Sequence, residues 1–569
     1  MNGSPIIESR PLITLVVLSG LLFCANVATM ELWGKDEFRY AEVAKEMLVS
    51  GNWLIPQINY QFYPDKPPVY FWTAAALMKV LGWVSPVAPR LPLALSAIGC
   101  VVWNFLIGRL LFDERVAFVA SLMLMTSPRF YWTSQMIRLD IPLCFFMFAA
   151  MWAFVKFAWL SDRPHAGIYL FWAATGLACL SKGPPGLFTV LCCGVFLILV
   201  RDRDLWRRWR FFTGMALLGA IVGAWLVPAA LAYPEFVHTV LFEQIGERVM
   251  SPWRHQEPFF FYILKILTDF APWIFLLILP PLLRFDWKAA ADRKRLLFLL
   301  CWAIIPFLAF SAIKGKRPQY ILIIYPALCL LVAVWWRHQL ERAEGAWRGR
   351  GWKAAGILSA IVGGTMLVLA GLSLVAGVRL LNDEFPSVTF RETAILAALL
   401  AAGAVVAIQG TRRRGRRPLE SMAFGIYIVM TGVGIGLLPR VSSAAPYRRI
   451  DSLLEEGRRR GARLIMVSND GKIRPNYLYF GTYPLEFVDR SDKDTPSGRG
   501  ARTILNFDRD QLIYCVVRER DWRRFDSDVR RPFRVAGRFE TEDDVVLVLI
   551  FEPLSQQAAP TPTTSHDSP

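Results

Sequence analysis

The chain has 569 residues, of which 54% are hydrophobic and only 19% are charged, and its mean hydropathy is +0.37. A soluble protein of this length is not so apolar, so the composition indicates a polytopic membrane protein. The formal net charge of +18 comes largely from arginine and lysine clusters between apolar segments, and it gives no support to nucleic-acid binding.

Thirteen apolar segments are predicted to cross the membrane. A bilayer core about 30 Å thick requires roughly 20 apolar residues for each helical crossing. The first segment is interpreted as a retained span, because its apolar run is long and no small-residue cleavage site is obvious before Glu31. In chain order the predicted spans are residues 12–32, 91–112, 116–131, 141–160, 168–180, 187–200, 211–231, 260–283, 296–312, 320–336, 354–378, 394–409 and 423–438.

Clusters of arginine and lysine predict the orientation, because short cytoplasmic loops carry an excess of these residues. Such clusters follow the sixth, eighth, tenth and twelfth spans, around Arg207, Arg293, Arg342 and Arg414. The even-numbered loops are therefore predicted to be cytoplasmic. The odd-numbered loops, and the chain after residue 438, are predicted to lie on the outer face.

The composition changes near Pro439, beyond which the charged fraction rises and the spans stop. A helix-like segment precedes short apolar runs between turn signals, a pattern that predicts a small α/β domain. The helix is expected at 447–460 and the strands at 464–467, 504–507, 512–517 and 545–551. We therefore expect a membrane domain over 1–438, an outer α/β domain over 439–554 and a disordered Pro-, Thr- and Ser-rich tail over 555–569.

The first predicted outer loop begins with the sequence Trp-Gly-Lys-Asp-Glu-Phe-Arg-Tyr at residues 33–40. Apolar residues at helical spacing from Phe38 to Leu48 predict an amphipathic helix along the membrane surface, closed by Gly51. Asp36 has two interpretations. It is either the helix N-cap or a carboxylate that accepts a proton from an acceptor hydroxyl, or orients a polar acceptor, beside a lipid-linked donor.

Asp140 repeats this arrangement at the outer start of the fourth span, within Arg-Leu-Asp-Ile-Pro at residues 138–142. Capping is again the alternative, and Pro142 in the first helical turn supports it. Because Asp36 and Asp140 belong to different odd-numbered loops, they can approach each other only on the outer face. The sequence therefore predicts two acidic groups in one cavity.

Cations in loops made rigid by proline or glycine accompany these acids. They are Lys66, Lys182, Lys314, Lys316 and Arg317, all in odd-numbered loops. A single lysine at the end of a span usually extends to the lipid headgroups. Several cations that face the same cavity as two carboxylates instead predict a site for a phosphate or pyrophosphate lipid headgroup. Such cations would stabilise the charge on a leaving phosphate.

The loop after the seventh span contains His255 among several charged residues. His255 is a candidate metal ligand together with an acid such as Asp65. The alternative is a histidine that forms hydrogen bonds within the protein or to lipid headgroups.

A set of short motifs runs through the first ten spans. They are DEFRYAE at 36–42, SGNWLIP at 50–56, DKPP at 65–68, RLP at 90–92, KGP at 182–184, HQEPF at 255–259, KGK at 314–316 and Tyr320. Together they closely resemble bacterial lipid A 4-amino-4-deoxy-L-arabinose transferases and related GT-C glycosyltransferases, including protein mannosyltransferases. Thirteen spans followed by an outer α/β domain also resemble that family.

The resemblance implies a GT-C fold with about 13 transmembrane helices and a small periplasmic α/β domain, in the bacterial inner membrane. It implies an inverting glycosyltransferase that takes a sugar from undecaprenyl phosphate on the periplasmic face. The expected sugar is aminoarabinose and the expected acceptor is lipid A of lipopolysaccharide. No Gly-rich nucleotide fingerprint or DxD motif stands in a suitable loop, which agrees with a lipid-phosphate donor that needs no nucleotide or Mg²⁺ clamp.

The resemblance also assigns residues. It implies that Asp36 is the catalytic carboxylate and Asp140 a second essential acid. In the aminoarabinose transferases an acidic residue and a histidine can join at a metal, and Asp65 and His255 occupy those places here. The residues expected to bind the donor or the acceptor are Arg39, Tyr40, Lys66, Arg138, Lys182, Lys314, Lys316 and Tyr320.

Other functions remain alternatives. A related GT-C enzyme would glycosylate protein or another envelope glycan. A transporter predicts ionisable groups at the bilayer midplane and paired broken helices. Only Lys156, Lys265 and Asp269 lie more than three residues inside a predicted span, and the last two are expected to form a structural ion pair. A membrane receptor that uses the C-terminal domain leaves the loop carboxylates and cations unexplained.

Overall fold

The computed structural model divides into two compact units. It describes residues 10–553 apart from 64, 84, 234–256, 283–292, 344–349, 377–389, 413–417, 443–444, 469–477, 482–483, 490–510, 526 and 542–544. The helical unit comprises Met1–Met30, Trp53–Pro56 and Tyr63–Ser442, and the mixed unit comprises Glu31–Asn52, Gln57–Phe62 and Ser443–Pro569. The helix predicted in the first outer loop therefore belongs to the same unit as the C-terminal domain. The predicted domain boundaries placed that helix with the membrane domain instead.

The described chain is mostly helical. In chain order the helices are α1 (Arg10–Cys24), α2 (Lys35–Ser50), α3 (Val69–Leu81), α4 (Val87–Leu111), α5 (Glu114–Met125), α6 (Pro128–Gln135), α7 (Asp140–Phe154), α8 (Tyr169–Lys182), α9 (Phe188–Val200), α10 (Arg203–Trp209), α11 (Phe211–Ala232), α12 (Phe261–Asp269), α13 (Trp273–Leu282), α14 (Arg293–Ala312), α15 (Tyr325–Ala343), α16 (Arg350–Ala376), α17 (Phe390–Arg412), α18 (Pro418–Gly436), α19 (Leu438–Val441), α20 (Ala445–Arg459), α21 (Glu519–Trp522) and α22 (Ser527–Arg530).

Seven helical stretches among the described residues are long and apolar enough to cross a membrane, which makes the chain a polytopic membrane protein. They are Val87–Leu111, Asp140–Trp159, Arg203–Ala232, Arg293–Ala312, Pro318–His338, Ala355–Ser373 and Pro418–Gly436. Four shorter apolar helices are Arg10–Cys24, Val69–Leu81, Pro184–Val200 and Thr393–Gln409.

Prolines break two of the predicted spans. The third predicted span is divided between α5 and α6, and Pro128 is the first residue of α6. The eighth is divided between α12 and α13 by a turn at 270–272 that contains Pro272. Proline lacks the amide hydrogen that would continue a helical ladder, so it favours the start of a new helix. The helix α3 was not predicted, because its 13 residues are fewer than a membrane crossing requires.

Burial separates a central helix from a peripheral one. Of an 18-residue apolar stretch within Pro318–His338, which includes most of α15, 94% is buried, whereas only 17% of the corresponding stretch within Arg203–Ala232 is buried. The exposed side chains of the latter include Phe212 and Leu231. Such apolar exposure is expected for a helix that faces lipid.

An ion pair joins α12 to α6 inside the helical unit. Nε and Nη2 of Arg129 donate to Oδ2 and Oδ1 of Asp269 at 2.9 and 2.8 Å. The expected pair between Lys265 and Asp269 is therefore wrong. Two parallel bonds from one planar guanidinium satisfy both carboxylate oxygens, which a single ammonium cannot do.

The C-terminal part of the mixed unit contains a five-stranded sheet in the order β4-β3-β5-β7-β6. Its strands are β3 (Arg463–Ser468), β4 (Glu486–Asp489), β5 (Ile513–Arg518), β6 (Arg534–Glu540) and β7 (Val545–Phe551), after a short hairpin of β1 (Gln57–Ile58) and β2 (Gln61–Phe62). β3 pairs in parallel with β4 and β5, while β7 pairs antiparallel with β5 and β6. Ile465, Cys515 and Leu549 lie side by side in the core of this sheet.

The helix α20 and the three central strands of the sheet were predicted, but the edge strands β4 and β6 were not. α20 and strands β3, β5 and β7 coincide with predicted segments, whereas the predicted strand at 504–507 lies outside the described residues. β6 is an edge strand whose side chains are mostly exposed or only partly buried. An edge strand need not carry an apolar pattern, so hydrophobicity does not reveal it.

Candidate active site

Asp36 lies in the first turn of α2 and does not cap the helix. The N-cap position is Gly34, and no side chain caps it. Glu37 Oε2 accepts a hydrogen bond from the amide of Trp33 at 2.7 Å. The capping interpretation of Asp36 is therefore wrong.

Arg39 accompanies Asp36 one helical turn further along α2. Its Nη1 lies 3.4 Å from Asp36 Oδ1, and the side chains of Arg39 and Asp36 are 34% and 26% exposed. This partial exposure leaves the carboxylate reachable, while the guanidinium stays close enough to balance its charge. Tyr40, the third predicted residue of this helix, is buried.

Asp140 is the first residue of α7, and it too forms no capping bond within that helix. Its Oδ1 accepts a hydrogen bond from Nζ of Lys182, the last residue of α8. The side chains of Lys182 and Asp140 are only 13% and 7% exposed. The capping interpretation of Asp140 is therefore wrong, and Lys182 does not extend towards lipid but binds a buried carboxylate.

Tyr320 completes a three-residue cluster with this pair. It lies in the 3-10 helix Pro318–Ile324 that precedes α15, and Lys182 Nζ is 4.6 Å from the centroid of its ring. An ammonium over an aromatic face is attracted by the ring quadrupole, and more strongly when water is excluded. The structure thus brings together Asp140, Lys182 and Tyr320, which were predicted from three separate motifs.

Lys66 and Asp65 lie just before α3. Lys66 Nζ donates to the carbonyl oxygen of Asp65 at 3.0 Å, and the hydroxyl of Tyr63 donates to Asp65 Oδ2 at 3.3 Å. Asp65 therefore binds Tyr63, which was not predicted as a site residue. His255, its expected partner at a metal, lies outside the described residues. Within the part of the chain that the structure describes, no three His, Cys, Asp or Glu side chains are grouped to hold a metal ion.

Lys314 and Lys316 lie in the segment between α14 and the 3-10 helix. The amide of Glu257 donates to the carbonyl oxygen of Lys314 at 3.2 Å, and Lys316 Nζ donates to the carbonyl oxygen of Glu257 at 2.8 Å. Burial lowers the pKa of Lys316, against the opposing effect of the nearby Glu257 carboxylate. Lys316 therefore binds the chain just before α12, whereas the side chain of Lys314 is exposed.

Arg90 is a buried residue of α4 whose contacts were not predicted. Its Nε donates to the carbonyl oxygen of Met30 at 3.1 Å and its Nη1 to that of Gln135 at 2.8 Å. Met30 precedes Asp36 by six residues and Gln135 precedes Asp140 by five. The available signal was the Arg-Leu-Pro motif itself, because an arginine at the end of an apolar helix must find acceptors within the protein.

The predicted site residues are divided between the two units. Asp36, Arg39 and Tyr40 belong to the mixed unit, and Lys66, Asp140, Lys182 and Tyr320 belong to the helical unit. Arg138, in the segment between α6 and α7, is partly buried in the helical unit. Within the helical unit the strongest constellation is the cluster of the buried Asp140 with the partly buried Lys182 and Tyr320.

Comparison with known proteins places this arrangement in a class. Residues 9–242 match the family model described as dolichyl-phosphate-mannose-protein mannosyltransferase. The crystal structure of ArnT from Cupriavidus metallidurans bound to undecaprenyl phosphate aligns over 97% of this chain and 100% of that chain, with a TM-score of 0.74 and 22% sequence identity. The fold is therefore the GT-C fold of polytopic membrane proteins with a small C-terminal sheet, as predicted.

Sequence relatives define the family more narrowly. An undecaprenyl phosphate-α-4-amino-4-deoxy-L-arabinose arabinosyl transferase from Erwinia tasmaniensis is 30% identical over 406 residues, which cover 66% of this chain and 69% of that protein. One from Proteus mirabilis is 32% identical over 320 residues, so the match spans 53% of this chain and about half, 55%, of that relative. The chain belongs to the undecaprenyl phosphate-α-4-amino-4-deoxy-L-arabinose arabinosyl transferase family, and the predicted resemblance is confirmed.

Proposed function

We propose that this protein is an inverting glycosyltransferase that moves 4-amino-4-deoxy-L-arabinose from undecaprenyl phosphate to lipid A. The reaction would take place on the periplasmic face of the bacterial inner membrane, where the C-terminal domain would also lie. The names of the relatives support the sugar and the carrier. The observation that carries the proposal is the ion pair of the buried Asp140 with Lys182 beside the ring of Tyr320, because an ion pair held largely away from water is costly to maintain unless it has a role.

The reaction forms one bond and breaks one. An acceptor oxygen bonds to the anomeric carbon of the sugar, while the bond from that carbon to the phosphate oxygen of the carrier breaks. The undecaprenyl phosphate leaves with the electron pair, and the configuration at the anomeric carbon inverts. No nucleotide is needed, because the lipid phosphate is already the leaving group.

Asp36 would act on the acceptor. If the acceptor is a phosphate of lipid A, it needs little deprotonation at neutral pH, and Asp36 would position it. If the acceptor is a hydroxyl, Asp36 would take its proton as a general base. The 3.4 Å contact with Arg39 would keep the carboxylate oriented in either case.

Asp140 and Lys182 would act as one unit rather than as an acid and a separate phosphate ligand. Because Lys182 is bonded to Asp140, it would present an oriented positive charge whose counter-charge is fixed. Preorganised charges of this kind stabilise developing charge without reorganisation during the reaction. Lys66, Arg138 and Lys314 are proposed as further contacts to the donor phosphate or the acceptor.

A metal is not needed for these steps. Asp65 remains a candidate ligand together with His255, and a divalent ion held there would add positive charge near the lipid phosphate. In the described structure Asp65 already accepts a hydrogen bond from Tyr63, which is a sufficient reason for an acid at this place.

Reconstitution of the purified protein with undecaprenyl phosphate-aminoarabinose and lipid A tests the proposal. Mass spectrometry of lipid A should detect the mass of one added pentosamine. Unmodified lipid A, together with sugar transfer to protein or to another envelope glycan when other donors are supplied, would contradict the proposed substrates. That second function is favoured by the match of residues 9–242 to the protein mannosyltransferase family.

A further inference from the structure

The helix that carries Asp36 also buries a row of charged side chains. Glu42, Lys45 and Glu46 of α2 are all nearly inaccessible, and Lys45 is only 2% exposed. Burying ionic groups is unfavourable unless each finds charge-assisted hydrogen bonds. The partners of these side chains therefore reveal what the helix is fixed to.

Lys45 binds the backbone of the C-terminal part of the mixed unit. Its Nζ donates to the carbonyl oxygens of Leu478 and Gly481 at 2.7 and 2.6 Å, and that of Tyr479 lies at 3.4 Å. Glu42 Oε2 lies 2.8 Å from the same ammonium. An ammonium group has three hydrogens to donate, and its nearest oxygen atoms are the carbonyl oxygens of Leu478 and Gly481 and Oε2 of Glu42.

Glu46 and Asn59 extend the same attachment. Glu46 accepts hydrogen bonds from the amides of Asn59 and Tyr60, at 2.5 and 2.9 Å, in the turn of the β1–β2 hairpin. The side-chain amide of Asn59 in turn donates to the carbonyl oxygen of Leu485 at 2.7 Å and accepts from the Leu485 amide at 2.9 Å. Two separate polar links thus join α2 and its hairpin to residues 478–485.

Aromatic packing fixes the part of α2 nearer to Asp36. The ring of Phe38 lies edge-on to those of Tyr447 and Tyr479, at centroid distances of 4.8 and 5.9 Å. Such packing excludes water but tolerates sliding, whereas hydrogen bonds to particular carbonyl oxygens set one rotation and one height of the helix. The hydrogen bonds of Lys45, Glu46 and Asn59 therefore determine the orientation and height of the helix.

We infer that Lys45 is a positioning residue for the transfer reaction, and that the turn at 478–481 of the C-terminal domain holds in place the helix that carries Asp36. The inference rests on the proposed function of Asp36. Lys45 follows Asp36 by nine residues, which is about 14 Å along a helix axis, so it acts through the helix and not on the substrate. The sequence of the C-terminal domain offers no catalytic constellation of its own. Its role would be to hold this helix in position.

The test combines kinetics with hydrogen exchange on the full-length protein. Lys45→Met keeps most of the side-chain length and removes the three donors, and Lys79→Met, at an exposed lysine of α3, is the matched control. Misplacement of a catalytic group by about 1 Å costs about a hundredfold in rate, so kcat of Lys45→Met should fall by about tenfold to a hundredfold. The KM for the lipid-linked donor should stay within about twofold, because removing an interaction that acts on the transition state leaves donor binding unchanged.

Hydrogen exchange of the backbone amides shows whether α2 is still anchored, which transfer activity alone does not show. Peptides from α2 should lose protection in Lys45→Met, while peptides from α4 and α15 keep it and Lys79→Met resembles the wild type. Unchanged protection of α2 would overturn the anchor, and lost protection with unchanged kcat would overturn the positioning role. A wild-type protein that transfers no sugar would refute the proposed function, whereas the exchange data would still decide whether Lys45 anchors the helix.

Asn59→Gly provides a second variant if Lys45→Met does not fold. Asn59 has a φ of 55°, which glycine adopts without strain. This change therefore deletes the side-chain link to Leu485 without removing the partner of any buried charge. It should produce the same lowered kcat with unchanged donor KM. Wild-type kinetics in this variant would contradict the inference.

Discussion

At the scale of single residues, buried charges are the most informative feature of this protein. Asp140 and Lys182, which are 7% and 13% exposed, neutralise each other away from water, and in the mixed unit the buried Lys45 has Glu42 Oε2 at 2.8 Å. The value of such a pair is measured by removing one partner, because the charge that remains has lost its solvation as well as its counter-ion.

Removal of either partner of the Asp140–Lys182 pair should destabilise the helical unit more than removal of both. Asp140→Asn and Lys182→Met should each cost roughly 3–5 kcal/mol, since each leaves one buried charge unpaired. The double variant should recover part of that loss although its transfer activity stays low. Thermal unfolding in detergent of the four proteins measures this coupling, and strictly additive losses would show that the two side chains do not act as a unit.

Glu42 should make stability depend on pH. Burial, supported by Glu46 and opposed by Lys45, raises the pKa of Glu42 from 4.5 to about 8. A carboxyl group with a raised pKa in the folded state contributes stability that is fully present below its unfolded pKa and is lost as the pH rises towards the folded pKa. Between about pH 5 and about pH 8 the wild type should therefore lose more thermal stability than Glu42→Gln. Parallel pH profiles of the melting temperature in the two proteins would refute this.

At the scale of helices and loops, Arg90 connects two segments of the helical unit, one of which leads to Asp140. Its two nitrogens donate in different directions, to the end of the turn after α1 and to the end of α6. Because Gln135 precedes Asp140 by only five residues, a shift of the end of α6 would move that acid.

Arg90→Met should lower both stability and turnover. Two buried carbonyl oxygens would lose charged donors, which costs about 3 kcal/mol in total. Arg90→Lys should not restore the wild type, because a single ammonium cannot reproduce the forked geometry of a guanidinium. Arg115→Met, at an exposed arginine of α5, is the control for loss of charge. Melting temperatures and kcat measured together test this, and an Arg90→Met protein like the control would rule out the connection.

The elements themselves show what sequence reasoning can and cannot supply. Helices α4, α9, α11 and α14 lie close to predicted spans because a continuous apolar run is a local property. The break between α12 and α13 depends on Pro272 in a turn, and the edge strand β6 depends on its neighbour β7, so neither is visible in hydropathy. Arg129 could not be predicted as the partner of Asp269, because the two are 140 residues apart in the chain.

At the scale of the whole molecule, the division into two units changes the meaning of the sequence motifs. Parity of the loops predicted that Asp36, Asp140 and the lysines share one face, and the structure does join Asp140, Lys182 and Tyr320 within the helical unit. Asp36, however, belongs to the mixed unit with the C-terminal sheet. The helix that carries Asp36 and the hairpin after it are attached through Lys45 and Asn59 to residues more than 400 positions away in the chain. No pattern in a single sequence specifies such pairings.

Transfer of aminoarabinose from undecaprenyl phosphate to lipid A by the wild type and by Asp36→Asn, compared in the same reconstituted vesicles, tests the central claim most directly. Asp162→Asn, at an exposed aspartate elsewhere in the chain, serves as the matched control. Mass spectrometry should detect pentosamine-modified lipid A with the wild type and the control, and at least about a hundredfold less with Asp36→Asn, as expected for loss of a general base or orienting carboxylate. Wild-type amounts of product from a folded Asp36→Asn protein would contradict the account.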